Sequence, residues 1–218
     1  ESDIGLYRAL ESLRQPLCFD GLVGLGFGPQ ENPASVTCTG GGNMSTAMSG
    51  HAIRGGTHFV EFTVTINEQD AYMHLGVIRP VSLTDGIDLN TDWEGHVYPM
   101  LVSSSYKPAI AEKFRSQRTE KWGDSNVHCC TYFCYSGRCF WTDWNIEKGV
   151  SSDWQGREGL GESGAVGLLL DLNDGTLSVF KNGLRLGVMK GGLGGKYVWF
   201  VSVCSVCTIS MSKGQAPK

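Results

Sequence analysis

Eight cysteines stand in the 218-residue chain; four cluster as Cys129-Cys130-x3-Cys134-x4-Cys139 and two more as Cys204-x-x-Cys207. Thiolates at Cys-x2-4-Cys spacing are the usual way to hold structural zinc. Cys204 and Cys207, three apart in a β region, point to opposite faces and fit a tetrahedral site poorly. Tyr135-Ser136-Gly137-Arg138 reads as a hairpin turn that sets Cys134 opposite Cys139. Packing thiols, a cross-strand disulfide and a metal knuckle are all compatible with the spacing, packing thiols most simply.

Hydrolytic chemistry has less to work with. Glycosidic cleavage on a β-sandwich needs two carboxylates about 5–9 Å apart across a cleft, and no strand carries alternating acids; Glu61 stands alone in its run. The five histidines are scattered, no Gly-x-Ser-x-Gly elbow is present, and Gly24-x-Gly26-x-Gly28 lacks the strand–helix setting of a phosphate loop. These patterns point away from an enzyme and from any cofactor or metal. Between Tyr106 and Ser125 five basic residues stand against three acidic ones, leaving +2. With a net charge of −4 and pI near 5.7, that predicts a solvated helical face rather than a nucleic-acid footprint.

The aromatic residues are unevenly placed. Of the six tryptophans, Trp93, Trp122, Trp141, Trp144 and Trp154 fall within or just beyond residues 92–153. Large aromatic and Arg side chains dominate binding hot spots, yet tryptophans in a long loop also need a local core beneath it. Both roles are open.

The elements that position these residues are strands. Leu168–Leu172, Thr176–Phe180 and Leu184–Val188 are short apolar runs separated by Asn173-Asp174-Gly175 and Lys181-Asn182-Gly183. Asp-Gly and Asn-Gly tolerate the positive φ of tight hairpins, so the segment reads as a three-stranded meander. Leu168–Leu172, apolar on both faces, belongs centrally in a two-layer structure. Further strands are expected at Ser35–Thr39, Ser45–Met48, His58–Ile66, Tyr72–Ile78, Tyr197–Cys204 and Cys207–Met211. Two helices are expected: Asp3–Arg14, stopped by Pro16, and a short one after Pro108. No apolar run approaches the roughly 20 residues that cross a bilayer.

The Gly167–Gly187 segment resembles the C-terminal half of a SPRY domain, through Gly167, Asp171, Gly175, Leu177, Val179-Phe180, Asn182, Gly183 and Gly187. Gly56-Thr57-His58-Phe59-Val60-Glu61-Phe62 is similar to the family's N-terminal motif, with Val60 where Trp is usual, and Leu75-Gly76-Val77 to its Val-Gly-Val strand. The resemblance implies an all-β, two-sheet antiparallel sandwich, concanavalin-like in topology, over residues 21–212. Residues 1–20 would form a helical extension, about 92–153 a long Trp/Cys-rich insertion, and 213–218 a polar tail.

It further implies non-catalytic recognition of a protein or peptide by loops at one end of the sandwich. Arg54, Arg79, Trp93, Tyr98, Trp141 and Trp144 are the candidate partner-binding residues. A carbohydrate-binding module and a structural subunit of a larger assembly are the alternative readings. By the same resemblance the protein would be soluble and cytoplasmic; the start at Glu1, without Met, leaves an organelle lumen open.

Overall fold

Alternation decides where each strand sits. In a computed structural model, which describes residues 16–67, 72–145 and 150–217, Val60, Phe62 and Val64 of one strand are buried while Thr63 and Thr65 face out. This period-two burial lets a strand close a core with one face. Thirteen strands among the described residues form two antiparallel sheets. The first runs, in spatial order, β1 (Phe19–Val23), β3 (Ser45–Ser49), β12 (Val198–Val203), β5 (Met73–Ile78), β6 (Cys129–Phe133), β7 (Arg138–Thr142) and β8 (Val150–Ser152). The second runs β11 (Leu184–Gly191), β10 (Thr176–Lys181), β9 (Gly164–Asp171), β4 (Thr57–Ile66), β13 (Cys207–Lys213) and β2 (Ser35–Cys38).

The expected meander is present as β9–β10–β11, with β9 paired on its other side to β4, in the central position its two apolar faces require. Asn182 (φ 49°) and Gly183 (φ 81°) both occupy the left-handed region, as a two-residue hairpin turn demands. A β-branched residue at Gly183 would be strained. Asn182 Oδ1 also accepts the Ala165 N–H at 2.8 Å, tying the turn to β9. Asp171 holds the preceding turn: its carboxylate accepts the N–H groups of Asn173 (2.9 Å) and Asp174 (3.2 Å) and the Thr57 hydroxyl (2.9 Å). The motif aspartate is thus a structural joint between β4 and the β9–β10 turn. Gly76 has a different reason: a Cβ there would lie 2.0 Å from the Cys130 carbonyl oxygen, so β5 and β6 approach only without a side chain.

Two apolar cores result. Val60, Phe62, Leu75, Val77, Leu168, Leu177, Val201 and Ile209 fill the space between the sheets. A second core lies on the outer face of the first sheet, where Ile78, Val198, Phe200 and Cys129 meet residues from the long β5–β6 connection. That connection carries α1 (Pro108–Ser116), which begins at the expected proline and buries Ile110, Ala111 and Phe114. Trp93, Trp122 and Trp144 complete this core at 0–1% exposure. Phe114 lies 4.7 Å from Trp144 and 6.0 Å from Trp93, ring centre to ring centre. The indole N–H groups of Trp93 and Trp144 donate to the carbonyls of Leu83 (2.9 Å) and Pro99 (3.1 Å), so their polar tips are satisfied.

Three expectations change. Residues 129–142 and 150–152, read as part of an insertion, supply strands β6, β7 and β8; the segment that lies over the sheet is the β5–β6 connection. The β6–β7 hairpin closes at Phe133 and Arg138, so its turn lies one residue N-terminal to the one read from sequence. Cys134 therefore falls in the turn and Cys139 pairs with Tyr132; the Cys130 sulfur lies 3.9 Å from that of Cys139. Among the described residues no cysteine forms a disulfide, and Cys38, Cys129, Cys130, Cys134, Cys139 and Cys207 are buried. Of the basic residues around α1, Arg118 and Lys121 are exposed as expected, but Lys107, Lys113 and Arg115 are half-buried and held by neighbours. Lys107 donates to the Asp92 carbonyl (2.8 Å), Lys113 pairs with Asp92 (3.4 Å), and Arg115 bonds Trp144 O (2.9 Å) and Asn145 Oδ1 (2.8 Å). They fasten the connection to its neighbours. The expected Asp3–Arg14 helix lies outside the described residues, and no described helix is long and apolar enough to cross a membrane.

Candidate functional site

One end of the sandwich is built around a buried arginine. Strand pairing brings the end of β3, the end of β5, the start of β4 and the start of β12 to this end, together with the β9–β10 turn and the β11–β12 loop. Arg79 follows β5 directly and is fully buried. Its guanidinium donates to the carbonyls of Gly194 (2.7 Å), Lys196 (3.2 Å) and Ser125 (3.0 Å), and lies 4.2 Å from the Tyr197 ring centre and 5.5 Å from that of Trp122. Among the described residues no carboxylate receives it. Three carbonyls and two π faces solvate the charge instead.

The remaining contacts lock the loops to one another. Ile53 and Tyr197 exchange both backbone hydrogen bonds, at 2.8 and 3.0 Å, which sets Arg54 beside Lys196. Ser125 Oγ donates to Gly192 O (2.7 Å), and Leu193 N–H to Gly175 O (2.9 Å). Gly195 (φ 80°) is pressed against the chain at Lys121–Trp122: a Cβ there would stand 2.0 Å from Trp122 O and 2.9 Å from Lys121 O. Three separate segments therefore bring Arg54, Lys121 and Lys196 to one rim. Partial burial first, and then the charges of Arg54 and Lys121, pull the Lys196 ammonium below its ordinary value. Burial does the same to Arg79, with Arg118 adding repulsion and Tyr197 opposing. Among the described residues, no ion pair neutralises Arg54, Lys121 or Lys196.

The structure does not gather the six sequence-predicted residues into one surface. Arg54 is exposed at the rim, and Arg79 lies beneath it as an internal anchor. Trp93 and Trp144 are withdrawn into the second core and offer no surface to a partner, which is a correction: the tryptophans next to the long connection mainly hold it down. Tyr98 is 7% exposed, and its hydroxyl meets His74 Nε2 at 2.6 Å inside the molecule, so it too is structural. Trp141 is half-buried in β7, packed on the main core, with Lys190 Nζ 4.4 Å from its ring centre. Sequence reasoning missed Lys196, and placed Lys121 only on the supposed helical face. The signal was Gly191-Gly192-Leu193-Gly194-Gly195-Lys196, a glycine-rich run ending in a cation just before a strand.

Solved structures carry the same architecture. The SPRY domain of human HERC1 superposes with a TM-score of 0.53 at 15% identity, covering 87% of this chain and 99% of that one. The TRIM65 PSpry domain gives 0.52 at 14% identity over 96% of each chain. A human SPRY domain gives 0.53 at 9% identity, over 88% of this chain and 97% of that one. The fold is the SPRY β-sandwich. No family model matches the sequence, and no curated protein matches it. At such identities the SPRY likeness speaks for the architecture, and the rim has to be argued from its own residues.

Proposed function

We propose that this SPRY-fold chain is a non-catalytic interaction module that recognises a protein or peptide with the loop end carrying Arg54, Lys121 and Lys196. The observation that carries the reading is the anchoring of that end. Arg79 and the Ile53–Tyr197 bridge hold three loops as one surface, so an exposed Arg and its neighbours are presented with little ordering left to do on binding. The SPRY likeness supports it as an architecture of rigid sheets with loops at their ends. The carbohydrate alternative needs exposed indole platforms, and Trp93, Trp122, Trp144 and Trp199 are buried at 0–2% exposure.

Proximity labelling in cells of the source, comparing the wild type with an Arg54→Glu/Lys196→Glu variant, tests the proposal. Proteins enriched by the wild type and lost in a variant of unchanged melting temperature are the expected result. Identical enrichment by both would move the binding surface elsewhere, and glycan binding by the intact domain would replace the reading.

A further inference from the structure

Resting on that reading, we infer that the Arg54–Lys121–Lys196 rim takes an acidic stretch of its partner, a short run of carboxylate side chains. Four cations meet here, three on the surface and Arg79 beneath them, fully buried and with no carboxylate partner among the described residues. A buried guanidinium satisfied only by carbonyls keeps its net charge, and little solvent intervenes to screen it. The Nε of Arg79 has no hydrogen-bond partner at all.

The backbone adds to the same field. Gly192, Gly194 and Lys196 all turn their carbonyls inward, to Ser125 Oγ and Arg79. No peptide bond here is cis, so the Gly195 N–H points opposite to the Gly194 carbonyl, away from Arg79. An anion at the rim thus meets cations, while the negative ends of the peptide dipoles are occupied below. The acids closest in sequence, Glu120 and Asp124, are exposed and form no ion pair with the three cations.

Extent separates the possible anions. A nucleic acid needs a stripe of cations that follows its backbone, whereas these three sit on one rim of a chain with net charge −4. Such a spot matches two or three adjacent carboxylates and is opposed, at longer range, to an extended polyanion. The compact geometry therefore favours a peptide over a nucleic acid or a lipid surface.

Titration of the ¹⁵N-labelled protein reads this directly. The probes are a Gly-Ser peptide carrying consecutive Glu residues, its Gln counterpart, a phosphoserine counterpart, a duplex oligonucleotide and anionic phosphatidylserine vesicles. The Glu peptide is expected to shift the Gly195 and Lys196 amides saturably and the Gln peptide to leave them still. Arg54→Gln and Lys196→Gln should each weaken binding about tenfold, the loss of one charge-assisted contact. Binding should also fall several-fold between about 50 and 300 mM salt as the Debye length shortens. A stronger response to phosphoserine than to Glu would assign the anion to a phosphorylated partner instead of a carboxylate run. Equal shifts with the Gln peptide, or equal affinity for the oligonucleotide or vesicles at matched charge, would overturn the inference. If the Glu peptide fails while labelling still depends on Arg54 and Lys196, only the acidic chemistry falls. If labelling is also indifferent to them, the proposed binding surface falls with it.

Discussion

Replacing Arg79 by Met keeps most of the stem volume and removes the group that joins the two ends of the β5–β6 connection to the β11–β12 loop. Three carbonyls, of Gly194, Lys196 and Ser125, lose their donor together, and the Tyr197 ring loses its cation. A carbonyl deprived of a buried donor costs about 1–3 kcal/mol. These residues are half-buried, so water partly replaces the guanidinium and the lower figure applies. Three such losses and a cation–π contact of about 1 kcal/mol are offset in part because a charge no longer has to be desolvated. A net loss of about 3 kcal/mol follows, and at about 2–4 °C per kcal/mol for a chain of this size the melting temperature should fall by about 6–12 °C. Arg79→Lys keeps the charge without the planar fork and should lose roughly half as much. Calorimetry gives the first quantity. Hydrogen exchange at Ile53 and Tyr197, whose mutual bonds depend on the same anchor, gives an independent one. An Arg79→Met protein that melts within about 2 °C of the wild type, with those amides equally protected, would show that the loops are held by other contacts and that the buried charge organises nothing.

The remaining predictions are shorter. Trp144→Ala and Trp93→Ala, each emptying the second core, should destabilise by about 3–5 kcal/mol, while half-buried Trp141→Ala costs less; denaturant midpoints compare the three. Gly76→Ala should cost upward of about 3 kcal/mol or prevent soluble expression, because its Cβ would stand 2.0 Å from a backbone carbonyl that a central strand cannot move. Acid should weaken the fold in a defined window. Burial lowers the His74 pKa to about 3 and, with Arg79 adding its charge, that of His128 to about 4. Both are depressed in the folded state, so the stability they contribute is complete above the unfolded value near 6.5. It is lost as pH falls toward 4 and then 3, at up to about 1.4 kcal/mol per pH unit for each. Denaturation midpoints between pH 7 and 4 should show that slope, and His74→Phe should flatten it; an unchanged slope would remove His74 as its source.

The strands were legible because a half-buried strand writes its burial into alternate residues and a hairpin writes its turn into Asn-Gly or Asp-Gly. Val60, Phe62 and Val64 are buried as their alternation required, and Asn182 and Gly183 carry the positive φ their identities announced. The hairpin around Gly137 was found but placed one residue off, since local composition marks a turn without fixing which pair closes it. The β6–β8 region was harder. Strand β6 is buried along its whole length because one face meets the other sheet and the other meets the β5–β6 connection. Such a run has no period to read and merges with the aromatic segment beside it.

The candidate site was legible in kind and not in place, and the reason is the same covering layer. A tryptophan in a long connection is equally consistent with a hot spot and with a local core until the surface beneath it is known. Here Ile78, Val198 and Phe200 face outward from the first sheet, and burying them required Trp93, Trp122 and Trp144. Arg79 follows from this arrangement. The chain leaves β5 between the two cores, and the long side chain must either return to solvent or find acceptors inside. The carbonyls of a glycine-rich loop supply them, because that loop can approach closely enough to turn Gly194 O and Lys196 O toward the guanidinium. The same turning sends the Gly195 N–H the other way, and the adjoining Ile53–Tyr197 bridge sets Lys196 beside Arg54. A residue buried for structural reasons thereby sets both the shape and the sign of the rim above it.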